Sequence, residues 1–297
     1  MEIKEGYIPF GKYETYYRIA NPKGKKTPLV CLHGGPGSTH NIFELFDHVA
    51  FEDDRPIICY DQIGCGLSSI PTNHPELWKK ETWVNELDNL REALDLKEIH
   101  LLGHSWGGML EIIYMCDYLP KGIKSVTLSS TLSSASLWRE ETHRLLSLMD
   151  KKDVRILLEA EANNKWNYPE VTDAINRYYE KYVFGPWKVG IDPEPLTRKK
   201  PSSKESYVTA WGESEFSPSG TLKDYEYTDK LNLITCPVLV CGGKYDESTP
   251  LQNKIMYDAL GSSKKTLICY ENSRHASYYE EHDLYVNNLI KFLNDAD

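Results

Sequence analysis

No apolar run in this 297-residue chain approaches the ~18–20 residues that a membrane-crossing helix needs. The opening stretch, Met1-Glu2-Ile3-Lys4-Glu5-Gly6, is charged and lacks the apolar centre of a secretory signal, so a cytoplasmic location is the default expectation. An excess of positive charge is also missing. Lys and Arg total 34 against 44 Asp and Glu, for a formal net charge of −10. Such a surface repels phosphate backbones, which argues against nucleic acid as a partner, and no membrane partner is expected. The seven cysteines form no C-x-x-C pair with zinc-site spacing. Cys31, Cys59, Cys241 and Cys269 fall inside short apolar runs and read as small buried hydrophobes in a reducing compartment. There is no internal repeat and no low-complexity segment. What remains is ordinary globular composition, 40% hydrophobic and 26% charged, in a chain long enough for one large domain with an insertion or for two small ones.

Six short apolar runs read as buried strands: Pro28–Leu32, Pro56–Tyr60, Ile99–Leu102, Val126–Ser129, Val238–Cys241 and Leu267–Tyr270. They do not alternate polar with apolar, which predicts a mostly parallel sheet covered on both faces. Between them lie helical patterns. Trp83, Leu87, Leu90 and Leu94 form one apolar stripe, and residues 282–293 close the chain similarly. Alternating strands and helices predict a doubly wound α/β sheet. The alternation stops near residue 134. Residues 137–182 read as consecutive helices, and a Pro- and Lys-rich loop follows at 185–201. The expected organisation is therefore a discontinuous α/β domain, 1–134 and 230–297, interrupted by a mainly helical cap at 135–229. Insertions of this kind often cover an active site.

The strongest chemical signal is Gly103-His104-Ser105-Trp106-Gly107-Gly108, which fits G-x-S-x-G between an apolar strand and a helical pattern. Strand, sharp turn and helix make the context of a nucleophile elbow, and point to the α/β-hydrolase fold with Ser105 as nucleophile. The turn strains the serine backbone, and glycine neighbours let the chain pack closely. His33-Gly34-Gly35-Pro36-Gly37 ends an earlier strand. Acyl transfer needs two N–H groups aimed at the oxyanion, and the candidates are those of Trp106 and Gly35. His33 itself reads as structural, hydrogen-bonded beneath that loop. In this fold the acid and then the histidine follow the serine along the chain. Asp246, after the run Val238–Cys241, is the candidate acid, with Glu247 as its local competitor. His275, after Leu267–Tyr270, is the candidate base. Its rival His282 falls inside the final helical pattern. Asp61, in the Asp61–Ser68 loop, precedes the serine and reads as structural.

Taken together, HGGPG, DQIGCG, GHSWGG and the late Asp and His resemble the prolyl iminopeptidase family of α/β-hydrolase serine aminopeptidases over nearly the whole chain. The stretches Ser129–Ser134 and Tyr225–Asp229 most resemble its lactobacillus-type members. The resemblance implies release of N-terminal proline from short peptides through an acyl-enzyme, with no metal or organic cofactor. It also implies cap carboxylates that bind the substrate's free amine. Trp211-Gly212-Glu213-Ser214-Glu215-Phe216 resembles the family's W-G-x-N-E-[YF] motif, in which Glu215 matches the amine-binding glutamate and Ser214 replaces Asn. Glu247, directly after the candidate acid, matches a second such glutamate, and Glu213 is a further candidate. The physics agrees, because a protonated amine entering a partly dry pocket needs a countercharge. Two alternatives stay open: an amino-acid amidase or carboxylesterase using the same triad, and a non-catalytic binding protein on the same fold.

Overall fold

The computed structural model describes residues 1–297. Eight strands form one sheet: β1 (Ile3–Phe10), β2 (Tyr13–Ala20), β3 (Leu29–Leu32), β4 (Ile57–Tyr60), β5 (Ile99–His104), β6 (Ile123–Ser129), β7 (Val238–Gly243) and β8 (Lys265–Tyr270). Their spatial order is β1-β2-β4-β3-β5-β6-β7-β8. Strands β3 to β8 run parallel, and β1 and β2 are antiparallel to each other, as β2 is to β4.

All six expected strands are present, and both faces of the central ones are covered. In β3, Leu29 and Cys31 join the apolar cluster beneath the C-terminal helix His282–Ala296, with Phe43, Phe46, Tyr285 and Leu289. Val30 and Leu32 point the other way, into the cluster that holds Trp83, Leu87 and Leu90 of the helix Lys80–Ala93. Side chains alternate between faces with a period of two, so burial of both faces requires an uninterrupted apolar run.

Two features differ from the sequence reading. The hairpin β1–β2 carries no continuous apolar run, and much of β1 is exposed because it lies at the sheet edge. Its two-residue turn begins at Gly11, whose φ of 62° belongs to the primed hairpin turns that fit strand twist. At the opposite edge, β8 is covered on one side only. Cys269 is exposed there, not a buried hydrophobe, and Leu267 is 36% exposed. His282 is the first residue of the last helix, within the element where the sequence pattern placed it.

The chain between β6 and β7 is a run of helices and loops: Ala135–Leu146, Lys151–Asn163, Pro169–Tyr182, Glu194–Thr197 and Lys204–Ala210. Ser134 and Asp150 cap the first two by accepting hydrogen bonds from backbone N–H groups, and Pro169 opens the third. The first three helices share a small core of their own that includes Leu145, Leu157, Val171, Tyr178 and Phe216. The third helix ends against the loops that follow β7 and β8: Glu247 N donates to Tyr182 O at 3.2 Å, and His275 N donates to Val183 O at 3.2 Å. The inserted helices are thereby fixed to two loops that carry candidate site residues.

Candidate active site

Ser105 sits between β5 and the helix Trp106–Ile113 with φ 55° and ψ −123°. That is a costly conformation for a residue with a Cβ, and it persists because the surroundings leave no alternative. A Cβ on Gly103 would stand 2.4 Å from Gly107 O, and one on Gly107 would stand 1.9 Å from Leu32 O. The helix therefore packs onto β3 only because these positions are bare. Gly107→Ala is expected to destabilise the fold by about 3 kcal/mol, as overpacking of a close contact does. Thermal unfolding checks this against Gly185→Ala, where an added Cβ has no neighbour within 4 Å.

The glycine-rich loop after β3 lies against the elbow. A Cβ on Gly34 would be 3.2 Å from Ser105 Cβ. Gly34 and Gly35 line a cavity of about 190 Å³ together with Ser105 and His275. Trp106 is the first residue of its helix, so its N–H lacks an intrahelical acceptor, and the helix N-terminus favours negative charge nearby.

The support beneath this loop is a closed hydrogen-bond system. His33 Nδ1 is 2.9 Å from Gly34 O, its Nε2 accepts from Gln62 N at 2.9 Å, and Gln62 Nε2 donates to His33 O at 3.1 Å. Gln62 Oε1 in turn accepts from the Trp106 indole at 2.8 Å. Burial pulls the His33 pKa down to about 4, so the ring is neutral, with Nδ1–H donating. Asp61 accepts from His40 N, His40 Nδ1 and Leu67 N at 2.8–2.9 Å, which makes it a loop organiser. Ligand atoms of His33, Asp61 and Cys65 lie within 4.8 Å of one another, a spacing a metal could use. Their capacity is already taken up, however: both His33 nitrogens are bonded, and Cys65 Sγ donates to Gln62 O at 3.1 Å.

Asp246 and His275 meet across the ends of β7 and β8. His275 Nδ1 is 2.7 Å from Asp246 Oδ1, and both side chains are buried. Ser248 N also donates to Asp246 Oδ1, at 2.8 Å, which fixes the carboxylate plane. Burial lowers the His275 pKa, but attraction to Asp246 and the hydrogen bond outweigh it, and the net shift is upward. The His104 ring packs beside His275 at 4.8 Å between centroids. Ser105 Oγ and His275 face the same cavity without a hydrogen bond between them. Such contacts are often long in unliganded sites and tighten around substrate. His282 is directed elsewhere, with Nδ1 2.8 Å from Tyr278 O and its ring stacked near Phe46.

Glu215 and Glu247 line the cavity; Glu213 does not. Glu213 turns to solvent and pairs with Lys204 at 3.4 Å, because the chain reverses around Gly212, whose φ is 137°. Ser214 is buried, and its hydroxyl accepts from Phe216 N at 3.1 Å, so the residue in place of Asn braces the turn that presents Glu215. Tyr207 OH donates to Glu215 Oε2, as does Tyr179 OH at 3.4 Å. Glu247 is 2% exposed, and its Oε2 has no hydrogen-bond partner; Tyr178 OH, also buried, has none either. Burial raises the pKa of both glutamates, and for Glu247 the neighbouring Glu215 adds to the shift. Tyr178, Tyr179 and Tyr207 escaped the sequence reading because nothing local separates them from the other tyrosines among the chain's 20. Lys200, which also lines the cavity, was hidden in the Pro- and Lys-rich loop.

Residues 27–282 match the family described as the alpha/beta hydrolase fold. The chain is 50% identical over 297 residues to the proline iminopeptidase of Lactobacillus helveticus, covering all of both chains. It is likewise 50% identical over 300 residues to that of Clostridioides difficile, again at full coverage of both. Among solved structures, the proline iminopeptidase of Mycobacterium smegmatis superimposes with a TM-score of 0.86 at 28% identity, covering 99% of this chain and 98% of the other. With the elbow, the glycine loop and the late Asp–His pair in place, this chain belongs to the proline iminopeptidase family of α/β hydrolases.

Proposed function

We propose that this enzyme releases N-terminal proline from short peptides, with Ser105 as nucleophile, His275 as general base and Asp246 as the residue that orients the histidine. Ser105 Oγ attacks the carbonyl carbon of the N-terminal residue while His275 Nε2 takes its proton. The carbonyl oxygen becomes an oxyanion held by the N–H groups of Gly35 and Trp106. His275 then gives the proton to the leaving amine, the C–N bond breaks, and the proline acyl group stays on Ser105. Water, deprotonated by His275, attacks the ester and frees proline and the serine.

The observation that carries this reading is a pair of carboxylates, Glu215 and Glu247, in the same small cavity as Ser105. A buried and a half-buried acid with raised pKa values are unfavourable by themselves. A protonated amine relieves that cost, and the unpartnered Glu247 Oε2 is an acceptor ready for it. Val183, Phe184, Trp187 and Leu196 add apolar wall suited to a pyrrolidine ring. The helical segment 135–229 acts in this reading as a cap that supplies Glu215 and admits short chains only.

The deciding experiment compares a proline arylamide with its N-acylated counterpart. Cleavage of only the free-amine compound is expected; equal cleavage of the acylated one would leave a general amidase or esterase on the same serine. Glu215→Gln and Glu247→Gln are each expected to raise KM for the arylamide about 10- to 100-fold, the size of a lost charge-assisted hydrogen bond, with a smaller effect on kcat. In the wild type, KM should also rise as pH falls through the raised range of these acids, since a proton then occupies the place of the ammonium. Steady-state kinetics across pH checks both.

A further inference from the structure

The cavity holds a cation as well as two carboxylates. Lys200 lies near Asp61 and Cys65, of the loop that supports the glycine-rich turn, whereas Glu215 and Glu247 are grouped with Tyr178, Tyr179 and Tyr207. Lys200 is half-buried and forms no ion pair and no side-chain hydrogen bond, unlike the buried or half-buried cations elsewhere in the chain such as Arg18, Arg55 and Lys80. The acids nearest to it are already committed. Asp61 already accepts from His40 and Leu67, and Glu44 pairs with Arg198 at 2.8 Å and with His40 at 3.3 Å. Nor is the lysine on a loose segment. Pro201 O accepts from Gly66 N at 2.9 Å, Cys65 and Ser202 form an isolated bridge, and Ser203 N donates to Gly64 O at 2.8 Å. The backbone on its C-terminal side is thus stitched to the loop that supports the oxyanion site. Burial lowers its pKa by more than the attraction of Asp61 and Glu44, neither of which pairs with it, raises it.

An unpaired cation in a partly dry cavity is costly unless an anion joins it. Building on the aminopeptidase reading, we propose that Lys200 binds the C-terminal carboxylate of a dipeptide substrate, on the leaving-group side of Ser105. A dipeptide is a zwitterion with its ammonium one residue before the scissile bond and its carboxylate one residue after it. The cavity offers acids for the first and a lysine for the second, with the nucleophile sharing the same space. Lys200 is therefore a specificity determinant that favours dipeptides over longer peptides, whose carboxylate lies farther from the scissile carbonyl.

The test uses the full chain and three substrates: a Pro-Ala dipeptide, its C-terminal amide, and a proline arylamide that carries no carboxylate. In the wild type, KM for the dipeptide is expected to be at least about tenfold below that for its amide. Lys200→Met should abolish that difference by raising the dipeptide KM while the KM values for the amide and the arylamide change far less, and Lys200→Arg should restore most of it. Equal KM values for dipeptide and amide in the wild type, with the arylamide still cleaved, would overturn the role of Lys200 and leave the aminopeptidase reading intact. Equal losses on all three substrates in Lys200→Met would also overturn it, by marking the lysine as structural. Failure of the wild type on every free-amine substrate would overturn both readings.

Discussion

Ser105→Ala is expected to lower kcat for proline arylamide hydrolysis by at least ~10⁴-fold while the protein stays folded. The serine oxygen is the only protein atom in the scheme that forms a bond to the substrate carbon, and alanine leaves nothing in its place. The residual rate reflects binding and the oxyanion donors alone. Folding is expected to survive because the strained φ of 55° is imposed by the packing of Gly103 and Gly107 and by the hydrogen bond from Ser105 N to Ser129 O at 3.0 Å, none of which needs the hydroxyl. Loss of labelling by a serine-directed fluorophosphonate, together with an unchanged circular dichroism spectrum, would confirm the assignment. Retained labelling and turnover would move the nucleophile to another hydroxyl.

Asp246→Asn is expected to cost about 10⁴-fold in kcat, for a different reason. Its Oδ1 receives the His275 Nδ1–H at 2.7 Å, which leaves Nε2 unprotonated and able to take the serine proton. An amide at this position can donate to Nδ1 and so favour the opposite tautomer, with Nε2 protonated and useless as a base. The variant also has a pH signature. Attraction to Asp246 is what raises the His275 pKa against the downward pull of burial. The base works only when neutral, so activity falls on the acid side of that raised pKa. Without the carboxylate the pKa drops, and the acid limb of the residual activity should move to lower pH. A pH–rate profile for wild type and variant checks the direction. An unmoved limb would mean that another group controls it.

How much was legible beforehand depended on whether a feature is local. The elbow could be read because strand, serine and bare glycines are adjacent in the chain, and the steric demand at Gly107 falls on a single residue. The central strands β3 to β7 could be read because burial on two faces forces continuous apolar runs. The same logic failed at the edges. Nothing in the run Leu267–Tyr270 tells that β8 has no neighbour beyond it, so Cys269 was assigned to a core that does not extend that far. The polar hairpin β1–β2 went unread for the same reason, since an edge strand need not carry a continuous apolar run.

The division is sharper at the site. The residues that three motifs and the chain order select, Ser105, Asp246 and His275, do converge, and the sequence alone identified them as candidates. Only the family resemblance ranked Glu215 above Glu213; nothing local in the sequence supplies the physical reason. The two are two residues apart, and only the reversal around Gly212 turns one toward solvent and Lys204, the other toward Tyr179 and Tyr207. The resemblance also paired Glu215 with Glu247, but nothing in the sequence brings Lys200 into the same cavity, because those three come from chain segments separated by up to 47 positions and are gathered only by the tertiary packing of the inserted segment. Charge placement inside a cavity is a property of that docking. The chemistry of the bond-breaking step was written into short motifs, whereas the selection of what is brought to it was decided by tertiary packing.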